Sequence, residues 1–247
     1  MKSNIQIYNE DCLIGMSKVQ DKSVDLICTD LPYGTTDCEW DKKIDLPLLW
    51  NQYNRLIKDN GVILLFGTGV FFAEVVLSNR EMFKYDLIWE KERPTNIFLM
   101  KKRFGMVHEH IAVFYRQQPK YFPKMENRAN TSIGVFGSEK ESKTHNSQTY
   151  SYSEDYDKTK TYPRSILRFN RDCLKEVYHP TQKPVSLLQY LIESFTEKGD
   201  IVLDSCMGSG STGVACKKSK RDFIGFELDS DIFEVARKRI ENSKFLF

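Results

Sequence analysis

The sequence lacks the closely spaced cysteine pairs, with histidines nearby, that mark most structural zinc sites. It contains four histidines and six cysteines in 247 residues, and no two cysteines have the C-x-x-C spacing. The cysteines are scattered along the chain, at positions 12, 28, 38, 173, 206 and 216. Zinc sites and disulfide-stapled small proteins both need denser patterns. The sequence therefore predicts no metal centre and no disulfide framework.

Long hydrophobic runs and an excess of charge of one sign are also missing. No segment approaches the roughly 18 consecutive apolar residues of a membrane span, and the first residues, MKSNIQIYNED, lack the apolar stretch of a signal peptide. We therefore expect a cytoplasmic protein with no membrane partner. The 36 Lys and Arg residues nearly balance 34 Asp and Glu residues, which leaves a formal charge of +2. A nucleic-acid partner would need a local basic surface, because the net field is weak.

Short apolar runs alternate with segments whose apolar residues recur every three or four positions. The runs typical of strands are residues 5–8, 24–30, 61–67, 85–90, 109–115, 200–205 and 222–228. The helix-like segments are residues 46–58, 70–80, 184–196, 211–219 and 230–243. Nearly continuous apolar strands that alternate with helices indicate an α/β fold with a mainly parallel sheet covered on both faces.

Residues 117–165 break this alternation. The stretch is polar, rich in Ser, Thr, Tyr and Lys, and too long for an ordinary loop of a compact domain. One interpretation is a disordered insertion. The other is a recognition insert, in which tyrosines and basic side chains meet the phosphates and bases of a nucleic acid.

A glycine-rich turn follows the strand at 200–205. In CMGSGSTGVACKK, Gly208, Gly210 and Gly213 match G-x-G-x-x-G between a strand and a helix. Glu227 ends the next strand about 20 residues further on, as in dinucleotide-binding units. Such glycines let a ligand approach the backbone, and the acid can accept hydrogen bonds from ribose hydroxyls. Further polar contacts, or a helix cap, are offered by Ser209, Ser211 and Thr212. The simpler interpretation is a plain glycine turn.

This turn alone does not choose its ligand. NAD, FAD and S-adenosylmethionine all carry an adenosine, and a helix N-terminus suits the pyrophosphate of the first two. Asp204, at the end of the preceding strand, would repel a pyrophosphate but attract the ammonium group of S-adenosylmethionine. The acid therefore favours the methyl donor.

A second unusual turn, TDLPYGTT, follows the strand at 24–30. Pro32 and Gly34 end strands readily, Asp30 tolerates turns, and Tyr33 can simply be packed. The functional interpretation is a site in which a carboxylate, a rigid proline and an aromatic ring contact the same ligand. The turn by itself is compatible with both.

Taken together, the motifs resemble those of the β-class amino-methyltransferases of DNA, which methylate an exocyclic nitrogen of adenine or cytosine with S-adenosylmethionine. The matching segments are TDLPYG (29–34), HEHIAVF (108–114), HPTQKPVSLLQYLI (179–192), DIVLDSCMGSGSTGVA (200–215) and FIGFELD (223–229). The resemblance extends from about residue 5 to residue 242, and the order of the motifs, with the glycine turn near the C-terminus, is typical of this class.

The resemblance implies a Rossmann-like, seven-stranded, mostly parallel sheet with one antiparallel strand, in circularly permuted order. The strand at 5–8 would lie third in space, after those at 200–205 and 222–228. Residues 1–116 and 166–247 would form the S-adenosylmethionine-dependent catalytic domain, and residues 117–165 the target-recognition insert.

The resemblance also implies catalytic roles for Asp30, Leu31, Pro32 and Tyr33. The Asp30 carboxylate and the Leu31 carbonyl would accept the N–H groups of the target amine, Pro32 would fix the loop, and Tyr33 would stack on a flipped base. The family segment usually reads D-P-P-Y, and Leu31 replaces its first proline but keeps the backbone carbonyl. Asp at the first position favours adenine N6, whereas Ser favours cytosine N4.

Cofactor contacts are expected along the same motifs. Asp11 would face the adenine of the cofactor, Lys183 would border its methionine end, and Ser205 and Cys206 stand where the family often has Phe after Asp-Pro. The full predicted set is Asp11, Cys12, Asp30, Lys183, Asp204, Ser205, Cys206, Gly208, Ser209, Gly210, Ser211, Thr212, Glu227 and Leu228.

We therefore predict a site-specific DNA methyltransferase that acts on adenine N6 in double-stranded DNA, with S-adenosylmethionine as cofactor. A second copy of the chain and a cognate restriction enzyme are candidate protein partners. The alternatives are a cytosine-N4 methyltransferase, a methyltransferase of RNA or protein, a nicotinamide-dependent dehydrogenase and a non-catalytic nucleic-acid-binding module.

Overall fold

The computed structural model describes residues 3–34, 42–127, 157, 159–171 and 182–243. The chain divides into two compact units, one formed by Met1–Phe122 with Ser165–Phe247 and the other by Pro123–Arg164. Residues 128–156 and 158 of the predicted insert lie outside the described part of the chain, as do residues 179–181 of the segment HPTQKP.

Strands and helices alternate as the apolar pattern predicts. The strands are β1 (Ile5–Asn9), β2 (Val24–Thr29), β3 (Ile57–Gly67), β4 (Phe83–Glu90), β5 (His108–Phe114), β6 (Glu126–Asn127), β7 (Lys160–Thr161), β8 (Ile166–Arg168), β9 (Ile201–Asp204) and β10 (Asp222–Glu227). The helices are α1 (Cys12–Met16), α2 (Leu46–Leu56), α3 (Gly69–Ser78), α4 (Val185–Phe195), α5 (Ser211–Ser219) and α6 (Ser230–Asn242), with a 3₁₀ turn at Ile97–Leu99. In the smaller unit, β6 and β7 pair antiparallel.

The large sheet has the strand order β1-β10-β9-β2-β3-β5-β4-β8. Every neighbouring pair is parallel except those that involve β5, which runs antiparallel to β3 and β4. The predicted permuted order, with β1 third after β9 and β10, is therefore confirmed, as is the single antiparallel strand. The sheet has eight strands instead of seven, because β8 adds to the edge beside β4. With only three residues, β8 gives no alternation that could be recognised in the sequence.

The core lies on both faces of the sheet, and alternate residues of each strand point to opposite sides. Leu26 of β2 and Val62 of β3 belong to one buried cluster, together with residues of α4, α5 and α6. Ile27 and Ile63, the next residues along the same strands, belong to the other, with residues of α1, α2 and α3. This two-sided burial explains why the central strands read as continuous apolar runs. None of the helices in the described ranges is long and apolar enough to cross a bilayer.

The topology brings distant motifs to one edge of the sheet. The parallel strands β1, β10, β9 and β2 all end there, so that the residues that follow them are neighbours in space. Because β5 is antiparallel, its first residues lie at the same edge, and His110 pairs with Gly67 at the end of β3. The segments TDLPYG and HEHIAVF therefore meet although they are far apart in sequence.

Candidate active site

A cavity of about 750 Å³ opens at this edge, between the ends of the neighbouring strands β9 and β2. The chain leaves β9 for α5 on one face of the sheet and leaves β2 for α2 on the other face. Open α/β sheets bind ligands at this kind of switch point, and the volume is that of a small-molecule site. The structure brings nearly all the predicted site residues to its wall: Asp11, Cys12, Asp30, Leu31, Pro32, Tyr33, Lys183, Asp204, Ser205, Cys206, Gly208, Ser209, Ser211, Thr212, Glu227 and Leu228.

Gly210 is the one predicted site residue that does not line the cavity. It precedes α5 with a φ of 77°, and a Cβ atom there would stand 3.1 Å from the Cβ of Ala236 and 3.0 Å from the Cδ1 of Ile240. Gly210 therefore serves the close packing of the turn against α6. Gly208 has a φ of 50°, and within the described residues no heavy atom lies within 4 Å of where its Cβ would be. The backbone at Gly208 is open to a ligand.

The glycine turn fixes the acid that ends β10. Glu227 accepts a hydrogen bond from the Gly208 amide at 3.0 Å and another from the Asp229 amide at 2.9 Å. Burial raises the pKa of Glu227, and these two amides offset part of that rise. Two backbone donors thus hold the carboxylate in one orientation at the cavity wall.

Asp204 is almost fully buried, with 3% of its surface exposed. Its carboxylate accepts hydrogen bonds from the Thr212 hydroxyl at 2.6 Å and from the Cys206 amide at 3.1 Å. Burial raises the pKa of Asp204 to about 6, although the hydrogen bond from Thr212 acts in the opposite direction. The side chain ties the start of α5 to the end of β9.

The other residues on the cofactor side are mostly engaged with their neighbours. Asp11 caps α1, because its carboxylate accepts from the amides of Leu13 at 2.8 Å and Ile14 at 3.3 Å. The Ser205 hydroxyl lies 2.7 Å from the hydroxyl of Tyr53 on α2. A hydrogen bond with the neighbouring thiol of Cys12, together with burial, raises the pKa of Cys206.

Arg239 of α6 supports the serines of the turn from behind. Its guanidinium donates to the Ser209 carbonyl at 3.1 Å, to the Ser209 hydroxyl at 3.0 Å and to the Ser211 hydroxyl at 2.9 Å. Gln182, just before Lys183, accepts a hydrogen bond from the Ser209 hydroxyl at 3.3 Å. Neither Arg239 nor Gln182 was among the predicted site residues.

The residues of TDLPYG form the opposite wall of the cavity. The Tyr33 hydroxyl donates a hydrogen bond to Asp30 Oδ1 at 2.9 Å. The Tyr33 ring stacks on Phe71 of α3, with the ring centroids 4.6 Å apart. The Leu31 side chain is buried in the core at 3% exposure and so anchors the turn that Pro32 makes rigid. The Asp30 carboxylate faces the cavity a short distance beyond the end of β2.

Lys183 joins this wall to β5. Its ammonium forms an ion pair with Asp30 Oδ2 and lies 3.3 Å from Glu109 Oε2. Burial raises the pKa of Asp30, and Lys183 counteracts part of the rise. Burial alone would also raise the pKa of Glu109, but Lys183 and Lys91 together bring it below its ordinary value.

Glu109 lines the cavity although it was not among the predicted site residues, and Lys91 supports it from outside the lining. The Glu109 carboxylate accepts a hydrogen bond from Lys91 at 2.5 Å, and the Lys91 ammonium lies 4.9 Å from the centre of the Trp89 ring. A signal was present, because Glu109 falls on the same face of β5 as the buried residues Ile111 and Val113. A carboxylate on an otherwise apolar strand face needs a buried cation nearby.

The charge of the cavity discriminates between the cofactors that the glycine turn alone does not distinguish, which are NAD, FAD and S-adenosylmethionine. Its lining includes eight acidic residues against three lysines: Glu10, Asp11, Asp30, Asp45, Glu109, Asp204, Glu227 and Asp229 against Lys42, Lys43 and Lys183. An acidic wall fits a ligand with a sulfonium and an ammonium group and disfavours a pyrophosphate. Within the described ranges, no cluster of His, Cys, Asp and Glu has the arrangement of a metal site.

The permuted sheet, the glycine turn and the acidic cavity define a Rossmann-like enzyme with an adenosine-containing cofactor. The family model of DNA methylases matches residues 24–238. The chain belongs to this family of N6-adenine and N4-cytosine DNA methyltransferases, and its cofactor is S-adenosylmethionine.

Two relatives align with nearly the whole chain. The type II methyltransferase M2.MboI of Moraxella bovis is 28% identical over 264 residues, which cover 96% of this chain and 87% of that protein. The DNA adenine methyltransferase YhdJ of Escherichia coli (strain K12) is 26% identical over 250 residues, with coverage of 95% and 82%.

Solved structures show the same fold. The M1.HpyAVI–SAM complex is similar with a TM-score of 0.64 at 25% identity, and the match covers 96% of this chain and 98% of that one. The cytosine-N4-specific PvuII DNA methyltransferase has a TM-score of 0.69 at 17% identity, over 100% of this chain and 89% of that one. At such low identity the PvuII enzyme is similar in fold alone.

Proposed function

We propose that this enzyme methylates the exocyclic N6 of adenine at specific sites in double-stranded DNA. The observation that carries the proposal is the Asp30 carboxylate, which faces the same cavity as the open backbone of Gly208 and the fixed carboxylate of Glu227. Asp30 would meet the target amine, and the glycine turn the cofactor. S-adenosylmethionine, when bound, supplies an electrophilic methyl group on its sulfonium sulfur.

Asp30 and Leu31 would activate the amine directly. The lone pair of an exocyclic amine is delocalised into the base, which makes the nitrogen a poor nucleophile. The Asp30 carboxylate and the Leu31 carbonyl would each accept one N–H, which favours a tetrahedral nitrogen whose lone pair points at the methyl group. The nitrogen–carbon bond would form as the sulfur–carbon bond breaks, with the electron pair of that bond left on sulfur, and the methylated nitrogen would pass one proton to the Asp30 carboxylate that accepts its hydrogen bond. Asp30 stabilises the positive charge where it develops.

Tyr33 and Pro32 would hold the base in place. Flipping a base out of the duplex costs a few kcal/mol, and stacking on an aromatic ring returns roughly 1–3 kcal/mol. One face of Tyr33 already stacks on Phe71, so the ring is held before a base arrives. Pro32 removes backbone freedom from the turn, so that less order has to be created on binding.

The cofactor-side residues would divide their tasks. Glu227 would accept from the ribose hydroxyls, and Asp11 would lie beside the adenine. Asp204 and Lys183 would border the methionine end, where Asp204 would attract its ammonium group. The open backbone at Gly208 would let the cofactor approach the turn.

Adenine is favoured over cytosine by the acid at position 30, and one relative, YhdJ, is named a DNA adenine methyltransferase. The test is single-molecule sequencing of DNA from a methylation-free host that expresses the chain, which reports the modified base and its site together. We expect N6-methyladenine at one recurring sequence. N4-methylcytosine at such a site would instead support the alternative, and unmodified DNA would contradict both.

We propose that residues 117–165 supply target recognition. The support is their polar, tyrosine- and lysine-rich composition and the separate compact unit at Pro123–Arg164. Replacing Pro123–Arg164 by a short Gly-Ser linker should leave cofactor binding unchanged and abolish methylation at the recurring sequence. A shortened enzyme that still marks the same sites would show that recognition lies elsewhere.

We also propose that two copies of the chain associate. The loop between β4 and β5 exposes five large apolar side chains, Ile97, Phe98, Leu99, Met100 and Phe104, and Phe98 and Phe104 are 99% and 96% exposed. Dense exposed apolar groups mark protein interaction sites. Sedimentation should show a dimer for the natural chain and a monomer for the Phe98→Ser/Phe104→Ser variant. An unchanged mass with weaker DNA binding would instead assign the loop to DNA.

We also propose that the enzyme acts in the cytoplasm and that a cognate restriction enzyme is its partner. Expression with a nuclease that cuts at the recurring sequence tests the second, because methylated host DNA should then survive. Degraded DNA would contradict protection by this enzyme.

A further inference from the structure

Lys183 lies between two carboxylates. Its ammonium is paired with Asp30 Oδ2 and stands 3.3 Å from Glu109 Oε2, while the Phe66 ring centre lies 5.2 Å away. The residue is only 8% exposed, so that these groups dominate its surroundings. A small rotation of the long lysine side chain would transfer the hydrogen bond from one acid to the other.

The two acids differ in how well they are satisfied. Asp30 accepts from Lys183 and from the Tyr33 hydroxyl. Glu109 accepts from Lys91 through Oε1, but its Oε2 is buried and, within the described part of the chain, has no hydrogen-bond partner. Buried carboxylate oxygens are normally hydrogen-bonded. Oε2 is therefore in ion-pair contact with the Lys183 ammonium at 3.3 Å, with its capacity to accept a well-aligned hydrogen bond unfilled.

Methyl transfer makes opposing demands on Asp30. The carboxylate has to accept an N–H and stabilise a positive charge that develops on the target nitrogen. An ammonium bound to the same carboxylate weakens it as an acceptor and repels that charge. The reaction therefore gains if Lys183 moves away from Asp30 when the base arrives.

We propose that Glu109 is a positioning residue for methyl transfer, which holds the Lys183 ammonium while Asp30 holds the target amino group. Lys91 fixes Glu109 in turn, and strand pairing sets Trp89 of β4 opposite Glu109 of β5. The inference rests on the proposed role of Asp30 and applies equally if the target is cytosine.

The same arrangement predicts a change in pH dependence. The groups that face Asp30 are Tyr33 from its own turn, Lys183 from the segment before α4, Glu109 from β5, Asp204 from β9 and Cys28 from β2. Burial is the main cause of the raised pKa of Asp30, and the negative charge of Glu109 adds to it. Removing that charge should therefore move the acid limb of the rate profile to lower pH.

The experiment compares the full-length enzyme with Glu109→Gln, which keeps the side-chain size and removes the charge. Transfer of tritiated methyl groups to unmethylated DNA is followed in single turnover, at saturating cofactor and DNA, from about pH 5 to about pH 9. We expect the plateau rate to fall by about 10²-fold, as for other small misplacements of catalytic groups, and the acid limb to move to lower pH. The control is Glu197→Gln. The Glu197 carboxylate pairs with Lys120 at a distance of 2.7 Å and does not line the cavity, so this substitution should change neither the plateau rate nor the acid limb.

A second comparison keeps the test decisive if Glu109→Gln alone does not fold. Lys183→Gln and Lys183→Gln/Glu109→Gln should have the same plateau rate, because Glu109 sets that rate only through Lys183. The acid limb of the double variant should still lie at lower pH, because the charge of Glu109 acts on Asp30 directly. Equal rates for the natural enzyme and Glu109→Gln would overturn the proposal, as would a fall in rate with an unmoved acid limb or a further loss in the double variant. Failure of the natural enzyme to methylate DNA would instead contradict the proposed function.

Discussion

The two sides of the cavity hold their carboxylates by different means. On the cofactor side, Glu227 accepts from the backbone amides of Gly208 and Asp229, which are neutral and fixed by the turn. On the transfer side, Asp30 is held by the ammonium of Lys183, on a long side chain that also approaches a second acid. The Glu227 carboxylate is therefore held rigidly, whereas the Lys183 ammonium has two carboxylates within reach, those of Asp30 and Glu109.

The difference matches the task proposed for each side. A rigid acceptor suits a cofactor that binds in one orientation, because preorganised groups lose little freedom on binding. A carboxylate that must release one partner and accept another suits the reacting centre. Substitutions on the cofactor side should therefore change affinity, and those on the transfer side should change rate.

The largest expected effect is that of Asp30→Ala. The variant loses the acceptor that stabilises the developing charge, so the methyl-transfer rate should fall by about 10³-fold or more. Cofactor affinity should persist, because Lys183 can still pair with Glu109. Single-turnover kinetics and calorimetric titration with the cofactor measure the two quantities. Asp59→Ala, which removes a surface carboxylate paired with Lys22, is the matched control. Undiminished transfer would refute the role of Asp30.

The cofactor side also contains a titrating group, Asp204, and its effect should appear in stability. Its pKa is raised from 3.8 to about 6 in the folded state, so the folded protein binds more protons than the unfolded chain between these values. The stability from this group is therefore greatest below about pH 4 and is lost as the pH rises through about 6, by about 3 kcal/mol in total. Asp204→Asn should remove this loss.

The measurement is urea unfolding of the natural protein and Asp204→Asn at about pH 5 and about pH 8. The variant should gain stability relative to the natural protein as the pH rises. A stability difference that is the same at both pH values would count against the raised pKa. Because this comparison does not use the transfer rate, it measures the effect of Asp204 on stability independently of its effect on catalysis.

Glu227→Ala should weaken cofactor binding by about 1.5–3 kcal/mol, the value of a hydrogen bond to a charged acceptor. The rate at saturating cofactor should be nearly unchanged, because Glu227 does not contact the reacting amine in the proposed arrangement. Titration calorimetry and saturation kinetics separate the two effects. Glu234→Ala on the exposed surface of α6 is the control. Equal affinity for the natural enzyme and Glu227→Ala would argue against the ribose contact.

The sequence predicted most of the fold because the central strands are buried on both faces and therefore read as long apolar runs. It missed β8 and α1, which have three and five residues and are too short for a periodic pattern. It also placed the start of the third strand at residue 61, whereas β3 begins at Ile57, directly after α2. Strand pairing sets β8 and the start of β3, whereas α1 is a short helix capped locally by Asp11.

The site residues divide in the same way. Glu227 was predicted from its spacing after the glycine turn, and Asp30 from the resemblance of the segment TDLPYG to a known family. Glu109 lies within the matching segment HEHIAVF but had no assigned role, and Lys91 and Arg239 lie in no motif. The partners of Glu109 and Arg239 lie far away in sequence, Lys183 for the first and Ser211 for the second. The topology, which puts the start of β5 at the same edge of the sheet as the end of β2 with β3 between them, brings Glu109 near Asp30 and Lys183.

The smallest expected effect tests the transfer side most finely. Tyr33→Phe keeps the ring that stacks on Phe71 and removes the hydroxyl that donates to Asp30 at 2.9 Å. The loss of one hydrogen bond is worth about 0.5–1.5 kcal/mol, so the transfer rate should change by less than about tenfold. Tyr33→Ala, which also loses the stacking surface, should bind DNA more weakly and transfer more slowly than Tyr33→Phe. If the two variants were equally impaired in single-turnover kinetics, Tyr33 would act through its hydroxyl on Asp30 and not through stacking on the base.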